Sequence, residues 1–592
     1  MEFEAWLTIG TILTIFVLLA LNLVAADLAF IAGAALLAAC GVITTNEAFS
    51  GFSNPGVLTV AVLFIVAAAL RETGVLNHVG HLVLGKARTS CSALKRLIVV
   101  VIPMSAFLNN TPIVAIFVPM VLDWCRHHRI APSKLLMPLS FLAILGGTCT
   151  MVGTSTNLVV NGLLLENNMR ELQLFEIGKI GLPYAIIGSI YLCTIGNWLL
   201  PERKEFIEQL TKSRREYLAE MEVQPGCRLI GKTIEQAGLR QLSGLFLIEI
   251  NRGETIIGPV SPDTIIREND RLVFTGVLSS IIDLERIPGF VPTADPSYEV
   301  SPQGQRGRQL CEAVVSSSSP LVGKTIRDAD FRAVYGAAVV AVNRGGERIK
   351  QKIGDIRLMP GDTLLLQVGA HFMRAHRNDP AFYLISSVDG WRPLRRDRAW
   401  FALALLFCLI VAMSAQLLPT VVIATLVAAL MVGFGCISAG DARRSIEYQV
   451  IVVIAAAFGI GIAFENSGAA AAVAQLLFNA TAGWGPLTGL AAIYIIGVIL
   501  TSLITNNATA ILLFPLCLQT AKLFDVSPMP FIIALILAAS ACFITPIGYQ
   551  TNMMVYGPGG YKFTDYARVG GPLNLLLLIV AVVLIPLIWP FR

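Results

Sequence analysis

Two asparagine pairs interrupt apolar runs in this chain, Asn109-Asn110-Thr111-Pro112 and Thr505-Asn506-Asn507-Ala508, and a proline follows each, Pro119 and Pro515. Asn110 and Asn506 are 396 residues apart. A second polar break follows in each half, Gly153-Thr154-Ser155-Thr156-Asn157 and Gly548-Tyr549-Gln550-Thr551-Asn552, at an offset of 395. The chemistry open to such residues is the binding of small ions without fixed charge. A helix that restarts at a break points free N–H groups and the positive end of its dipole at an anion. A helix that stops there leaves free carbonyls, which together with Asn and Thr oxygens suit Na⁺.

Thr111 is expected to cap the outgoing helix at the first tip, with Pro112 in its first turn, and Asn507 is its equivalent at the second. The anion is assigned to Asn109, Asn110, Thr111, Ser155, Thr156, Asn506, Asn507, Gln550, Thr551 and Asn552. One Na⁺ is placed near Asn110, Gly153 and Asn157, and a second near Thr505, Asn506, Gly548 and Asn552. An isolated Asn or Thr in a membrane helix is usually interhelical glue. Four clusters at matching offsets weigh against that reading, because each polar group in hydrocarbon is costly without partners. No Lys, Arg or Asp interrupts the four clusters. That argues against a salt-bridged solute and against a proton relay through a buried carboxylate, and it favours Na⁺ coupling.

The elements that must hold these breaks are membrane helices. Hydrophobic residues make up 55% and charged residues 14%, where a soluble domain carries about a quarter charged. Apolar stretches at 6–24, 27–46, 57–73, 95–124, 134–165 and 181–200 form one block. A second block repeats the order at 399–416, 419–438, 449–465, 487–521, 528–556 and 571–590. A spanning helix takes about 20 apolar residues. The stretches with the Asn pairs are longer, with the break midway, yet too short for two full crossings. They are expected to be re-entrant hairpins with tips near the midplane, where irregular backbone must be buried or line a cavity.

Loop charge gives the orientation. Lys86, Arg88, Lys95 and Arg96 precede the first hairpin and Arg126, Arg129 and Lys134 follow it, so it enters from the cytoplasm. Pro201-Glu202-Arg203-Lys204 then falls inside, as do Arg392, Arg395, Arg396, Arg398, Asp441, Arg443, Arg444, Lys562 and Arg568. The first block begins outside and the second inside, and the second hairpin enters from outside. The expected fold class is an α-helical polytopic membrane protein of two inverted-topology repeats with re-entrant hairpins and broken helices.

Residues 201–398 are charged, with short alternating apolar runs and a repeat of their own. Leu229-Ile230-Gly231-Lys232-Thr233-Ile234 matches Leu321-Val322-Gly323-Lys324-Thr325-Ile326 at offset 92, and the same offset pairs Asn251-Arg252-Gly253 with Asn343-Arg344-Gly345 and Asp270 with Asp362. Strands are expected at 245–250, 337–342 and 363–368. Two similar α/β modules are therefore inserted on the cytosolic side. The chain divides into a first transmembrane repeat (1–200), a linker (201–214), the modules 215–295 and 308–387 joined by a linker (296–307), and a second transmembrane repeat (388–592).

Other residues carry less. Glu72 and Glu465 end the third spans and read as interfacial caps. His78, His81, His127 and His128 have no Cys, Asp or Glu set at metal-ligand spacing. The eleven cysteines are scattered and read as reduced packing residues. The acidic start Met1-Glu2-Phe3-Glu4 lacks a basic n-region and reads as the flank of a first span. A net charge of +5 is no nucleic-acid footprint. The absence of a nucleophile–base pair, a Walker loop or a dinucleotide fingerprint leaves an enzyme or an ATP-driven pump without support.

These residues resemble the divalent anion/sodium symporter family of sodium-coupled dicarboxylate and sulfate transporters. Its Ser-Asn-Thr signature, with an apolar run ending in Pro, is similar to Asn109-Asn110-Thr111…Pro119 and Thr505-Asn506-Asn507…Pro515. The resemblance implies that the tips and breaks form sodium sites and a substrate cradle, and that a homodimer moves its transport domains as elevators. Asn109 and Asn507 depart from the usual signature, as do the breaks Thr154-Ser155-Thr156-Asn157 and Tyr549-Gln550-Thr551-Asn552. Thr545–Asn552, running into Tyr556-Gly557-Pro558-Gly559-Gly560-Tyr561, is similar to the sulfate branch. The insert looks like two RCK C-terminal (TrkA-C) domains, which that branch carries either to bind a cytosolic ligand or to join subunits. The expectation is a Na⁺-coupled sulfate symporter in the plasma membrane. The alternatives are a dicarboxylate or other oxyanion symporter and, in another class, a ligand-gated anion channel or sensor.

Overall fold

Caps and prolines set where the apolar runs become helices. A computed structural model describes residues 3–20, 24–75, 84, 87–128, 130–203, 218–239, 245–253, 255–257, 260, 263–276, 288–292, 309–316, 319–344, 347–349, 351, 353–368, 372, 379, 381–387, 396–481, 483 and 485–591. Lys86, Arg129, Lys204, Gly345, Arg392, Arg395, His78 and His81 lie outside the described residues, as do the linker 296–307 and most of 201–214. The chain forms two compact units, Met1–Arg203 with Arg392–Arg592, and Lys204–Trp391.

In the first unit, the first half runs α1 (Phe3–Ala20), α2 (Ala26–Ala39), α3 (Pro55–Glu72), α4 (Ser90–Phe107), α5 (Asn110–His128), α6 (Leu136–Gly147), α7 (Ser155–Glu166) and α8 (Gly178–Tyr191). The second half runs α9 (Ala399–Ser414), α10 (Thr420–Gly433), α11 (Tyr448–Asn466), α12 (Ala469–Thr481), α13 (Pro486–Thr501), α14 (Asn506–Phe524), α15 (Met529–Ser540), α16 (Gln550–Tyr556) and α17 (Phe563–Ile588). Six helical segments among the described residues are long and apolar enough to cross a membrane: Thr45–Glu72, Ser90–Phe107, Gly178–Leu199, Tyr448–Asn466, Asn506–Phe524 and Phe563–Ile588.

Local chemistry explains the starts. Asn54 caps α3, accepting from Gly56 N at 2.9 Å, and Pro55 takes the first position, where a missing N–H costs nothing. Thr89 caps α4. The arms around the Asn pairs differ from expectation. α4 and α5 have 18 and 19 residues, because the polar ends Ser90–Leu94 and Asp123–His128 stay helical beyond the apolar run. Each arm is therefore longer than hydropathy alone indicated.

The two halves interlock. α6 packs against both α4 and α5, and α15 packs against both α13 and α14. Across the halves, α5 packs on α16 and α14 on α7, while α2 packs on α11 and α10 on α3. Glycines permit the closest approaches. A Cβ on Gly459 would stand 2.5 Å from Ala48 O, and one on Gly51 would strike Ala455.

The second unit holds two antiparallel sheets. β1 (Leu218–Val223), β2 (Leu245–Arg252), β3 (Thr255–Ile257), β4 (Arg271–Gly276) and β5 (Phe290–Pro292) are ordered β3-β2-β4-β1-β5. β6 (Gln309–Val315), β7 (Ala337–Arg344), β8 (Glu347–Arg348), β9 (Thr363–Val368) and β10 (Phe382–Ser387) are ordered β10-β6-β9-β7-β8. β2 and β7 run two residues past their apolar cores, and each ends in the arginine that grips a buried aspartate. Arg252 holds Asp270 through two 2.8 Å bonds, and Arg344 holds Asp362 through two 2.7 Å bonds. Each sheet covers its own core, around Leu247, Leu272 and Phe274 in one and Cys311, Phe331 and Leu364 in the other. Burial pushes the Cys311 thiol up to about 12, so it packs and does not react.

Candidate ion-binding site

The site forms where α5, α7, α14 and α16 begin. Asn110 opens α5 and is fully buried. One end of its amide lies 2.6 Å from Ser105 Oγ, 3.1 Å from Ala143 O and 3.2 Å from Gly153 O, and the other lies 2.5 Å from the Tyr549 hydroxyl. With Nδ2 toward the three oxygens and Oδ1 accepting from Tyr549, every partner is satisfied. Ser105 Oγ donates to Ala143 O at 2.6 Å.

The second half repeats much of this arrangement at matching positions. Thr501 Oγ1 donates to Ala539 O at 2.7 Å and lies 3.4 Å from Asn506 Oδ1. Asn157 Nδ2 donates to Thr150 O at 2.8 Å and lies 3.4 Å from Gly147 O. Asn552 Nδ2 donates to Cys542 O at 2.7 Å and to Thr545 O at 3.2 Å. Thr150 donates to Ala106 O as Thr545 donates to Ser502 O. Gly153 and Gly548 leave no room for a Cβ. One on Gly153 would lie 2.6 Å from Gly147 O, and one on Gly548 would strike Thr501 O. In each half an Asn thus ties up carbonyls freed by the broken helix.

The tips and breaks meet across the halves. Thr111 Oγ1 donates to Gln550 Oε1 at 3.0 Å. Its counterpart is Asn507, whose Oδ1 accepts from Ser155 at 3.2 Å and from Thr156 at 3.1 Å. Thr551 and Asn552 are fully buried and both face Ser140, at 2.9 and 2.7 Å. Asn109 and Ser155 border a small cleft with Val60, Ala67, Phe107 and Val152. Thr505 is exposed and caps α14 by accepting from Ala508 N at 3.4 Å.

This geometry corrects two expectations. Thr111 does not cap α5, because the helix already begins at Asn110 and the Thr111 hydroxyl turns across to Gln550. The second cap is Thr505 and not Asn507. Nor is the site free of carboxylates. Gln550 Nε2 donates to Glu447 Oε2 at 2.9 Å, and Arg71 acts on Glu447 electrostatically.

The profile of the citrate transporter family (CitMHS) matches residues 16–525. The chain belongs to this family. A Chlamydomonas reinhardtii protein named as a sulfur deprivation response regulator is 38% identical over 95% of this chain and 98% of its own length. An uncharacterized transporter of Synechocystis sp., sll0640, is 33% identical over 99% of this chain and 98% of its own. Sodium/sulfate cotransporter 1 of Chlamydomonas reinhardtii is 26% identical over 96% of this chain and 88% of its own. The chain is a multi-pass membrane anion transporter and not an enzyme.

Sequence reading of the transporter missed three groups in the site. Ser105 and Ser140 lie inside apolar runs, where a lone serine gives no signal. Glu447 immediately precedes α11, more than one hundred residues from Gln550, and reads as an ordinary helix flank. The matched offset of Ser105 and Thr501 was the available clue to the first.

Proposed function

We propose that the transporter is a sodium-coupled symporter of sulfate, built as an inverted repeat that dimerises and carries its site between the two membrane faces as an elevator. The cell membrane is its seat, and the modules of 215–295 and 308–387 lie in the cytosol. The observation that carries this reading is the duplicated polar set, Ser105, Asn110 and Asn157 against Thr501, Asn506 and Asn552, with the tight glycines Gly153 and Gly548 at matching places. Neutral oxygens and peptide dipoles in duplicate suit one dianion with alkali cations beside it.

The donor set fits Na⁺. The reverse orientation of the Asn110 amide would add Oδ1 to the oxygens of Ser105, Ala143 and Gly153 while Nδ2 donates to Tyr549. Asn157 Oδ1 is buried with no hydrogen-bond partner among the described residues, and such an orphan is costly unless an ion or water meets it. Its counterpart Asn552 Oδ1 is met by Ser140. The anion would lie against the first turns of α5, α7 and α14, where free N–H groups and the Asn507 amide supply donors. Sulfate is a compact tetrahedral dianion, which such donors hold without a cationic side chain.

Purified transporter in proteoliposomes should take up labelled sulfate when an inward Na⁺ gradient is imposed, and not with K⁺ in its place. Sodium-driven uptake of citrate or succinate with none of sulfate would replace this reading by a carboxylate symporter, which the description of the matched family favours.

A further inference from the structure

We propose that Tyr549 sets the size of anion the transporter accepts, by standing its phenol in the gap between the two asparagine tips. The inference rests on the reading of the site as an anion cradle. Tyr549 precedes α16 and is buried, 8% exposed. Its hydroxyl lies 2.5 Å from the Asn110 amide and 3.3 Å from Thr154 Oγ1, and it also bonds Asn506. One side chain therefore touches both tips and the opposite break.

The corresponding residue of the first half is Thr154, at the offset of 395 that relates the breaks. Thr154 carries the same hydroxyl chemistry without a ring. The duplication thus breaks its symmetry at the point where a solute held by both tips would pass. A tetrahedral anion has a single centre and gathers its donors around one point. A four-carbon dicarboxylate holds its two charges apart and needs an open trough from one tip to the other. The Tyr549 ring occupies part of that trough, and its hydrogen bonds to three polar partners hold it there. A ring that is fixed in place discriminates by steric exclusion, which a mobile ring does not.

The test compares sodium-driven uptake of labelled sulfate, succinate and citrate in proteoliposomes carrying wild type, Tyr549→Phe, Tyr549→Thr or Tyr549→Val. Phe keeps the ring but loses the hydroxyl bonds that fix it, so the ratio of sulfate to succinate uptake should fall only part of the way toward the values of Thr and Val. Thr, the residue of the other half, and Val, its apolar isostere, open the trough, so the ratio should fall by about tenfold or more. A folded Thr or Val variant that moves sulfate with an unchanged ratio overturns the inference. So does a set in which Phe folds and neither Thr nor Val does, since the ring is then a core residue and not a filter. Wild type that takes up succinate or citrate as readily as sulfate also overturns it, while leaving sodium symport in place. Absence of sodium-driven uptake of all three anions by wild type overturns the function itself.

Discussion

A carboxylate only accepts hydrogen bonds, and that fixes the polarity of the row Glu447–Gln550–Thr111. Gln550 must turn Nε2 to Glu447, at 2.9 Å, so Oε1 is left for the Thr111 hydroxyl at 3.0 Å. In the proposed cradle the second N–H of Gln550 would be a further donor to the anion. Glu447→Gln keeps the shape but removes the constraint, since the new amide both donates and accepts. The sulfate KM should rise, by about tenfold if an interaction of roughly 1.4 kcal/mol is lost, while the maximal rate changes little. Glu447→Asp keeps the acceptor and should recover part of the affinity. An unchanged KM in Glu447→Gln would show that the row only braces the helices. The paired asparagines make a second case. Asn110→Ala leaves Ser105 Oγ, Ala143 O and Gly153 O without the amide that joins them, and Asn506→Ala strips Thr501 of its neighbour. Each variant should stay folded by size exclusion and need more Na⁺ for half-maximal uptake. Wild-type sodium dependence in both would remove the tips from the ion sites.

At the scale of elements, the broken helices depend on glycine at one turn. The segment between α6 and α7 folds back so tightly that a Cβ on Gly153 would lie 2.6 Å from Gly147 O and 2.8 Å from Ser105 O. Both neighbours are backbone and neither can move aside. Gly153→Ala should therefore lower stability by roughly 1–3 kcal/mol, the usual cost of overpacking, and reduce sodium-driven uptake. Gly10→Ala on α1 meets nothing within 4 Å and serves as the control. Equal melting temperatures for the two variants would refute the close approach. These breaks were legible in the sequence because polar residues and glycines in hydrocarbon stand out, and because they recur at offsets of 396 and 395. Which groups they meet across the fold was less legible. Tyr549 meets Asn110 from 439 residues away, and Ser140 meets Thr551 from 411. A chain read linearly shows duplicated parts, but it does not show that each tip faces the other half's break. The ends of α4 and α5 were missed for a different reason. Backbone hydrogen bonds carry a helix into polar sequence, whereas hydropathy stops at the first charges.

At the scale of the molecule, each half of the membrane unit sets its tip against the break of the other, since α5 packs on α16 and α14 on α7, so the candidate site is shared between the halves. The inserted unit is different in kind, for each of its sheets covers a core of its own. Its keystone is repeated, an aspartate that is fully buried and held by an arginine that is only partly covered. Asp362 also accepts from Met359 N at 2.8 Å, which closes the turn before β9. Asp362→Asn removes the charge that Arg344 pairs with and should destabilise that sheet by roughly 3 kcal/mol, the low end for breaking a buried pair. The membrane unit should not share this loss. Sulfate with Na⁺ at about a hundred times the Kd should stabilise whatever forms the site by about 2.7 kcal/mol. Thermal unfolding followed by limited proteolysis at sites in each unit separates the two effects. The ligand should protect the membrane unit alone, and Asp362→Asn should expose the inserted unit alone, with an unchanged sulfate KM. A raised KM in Asp362→Asn would mean that the state of the sheets reaches the ion site. The inserted unit would then be a regulator whose folding free energy is coupled to transport, and the magnitude of the KM change would measure that coupling.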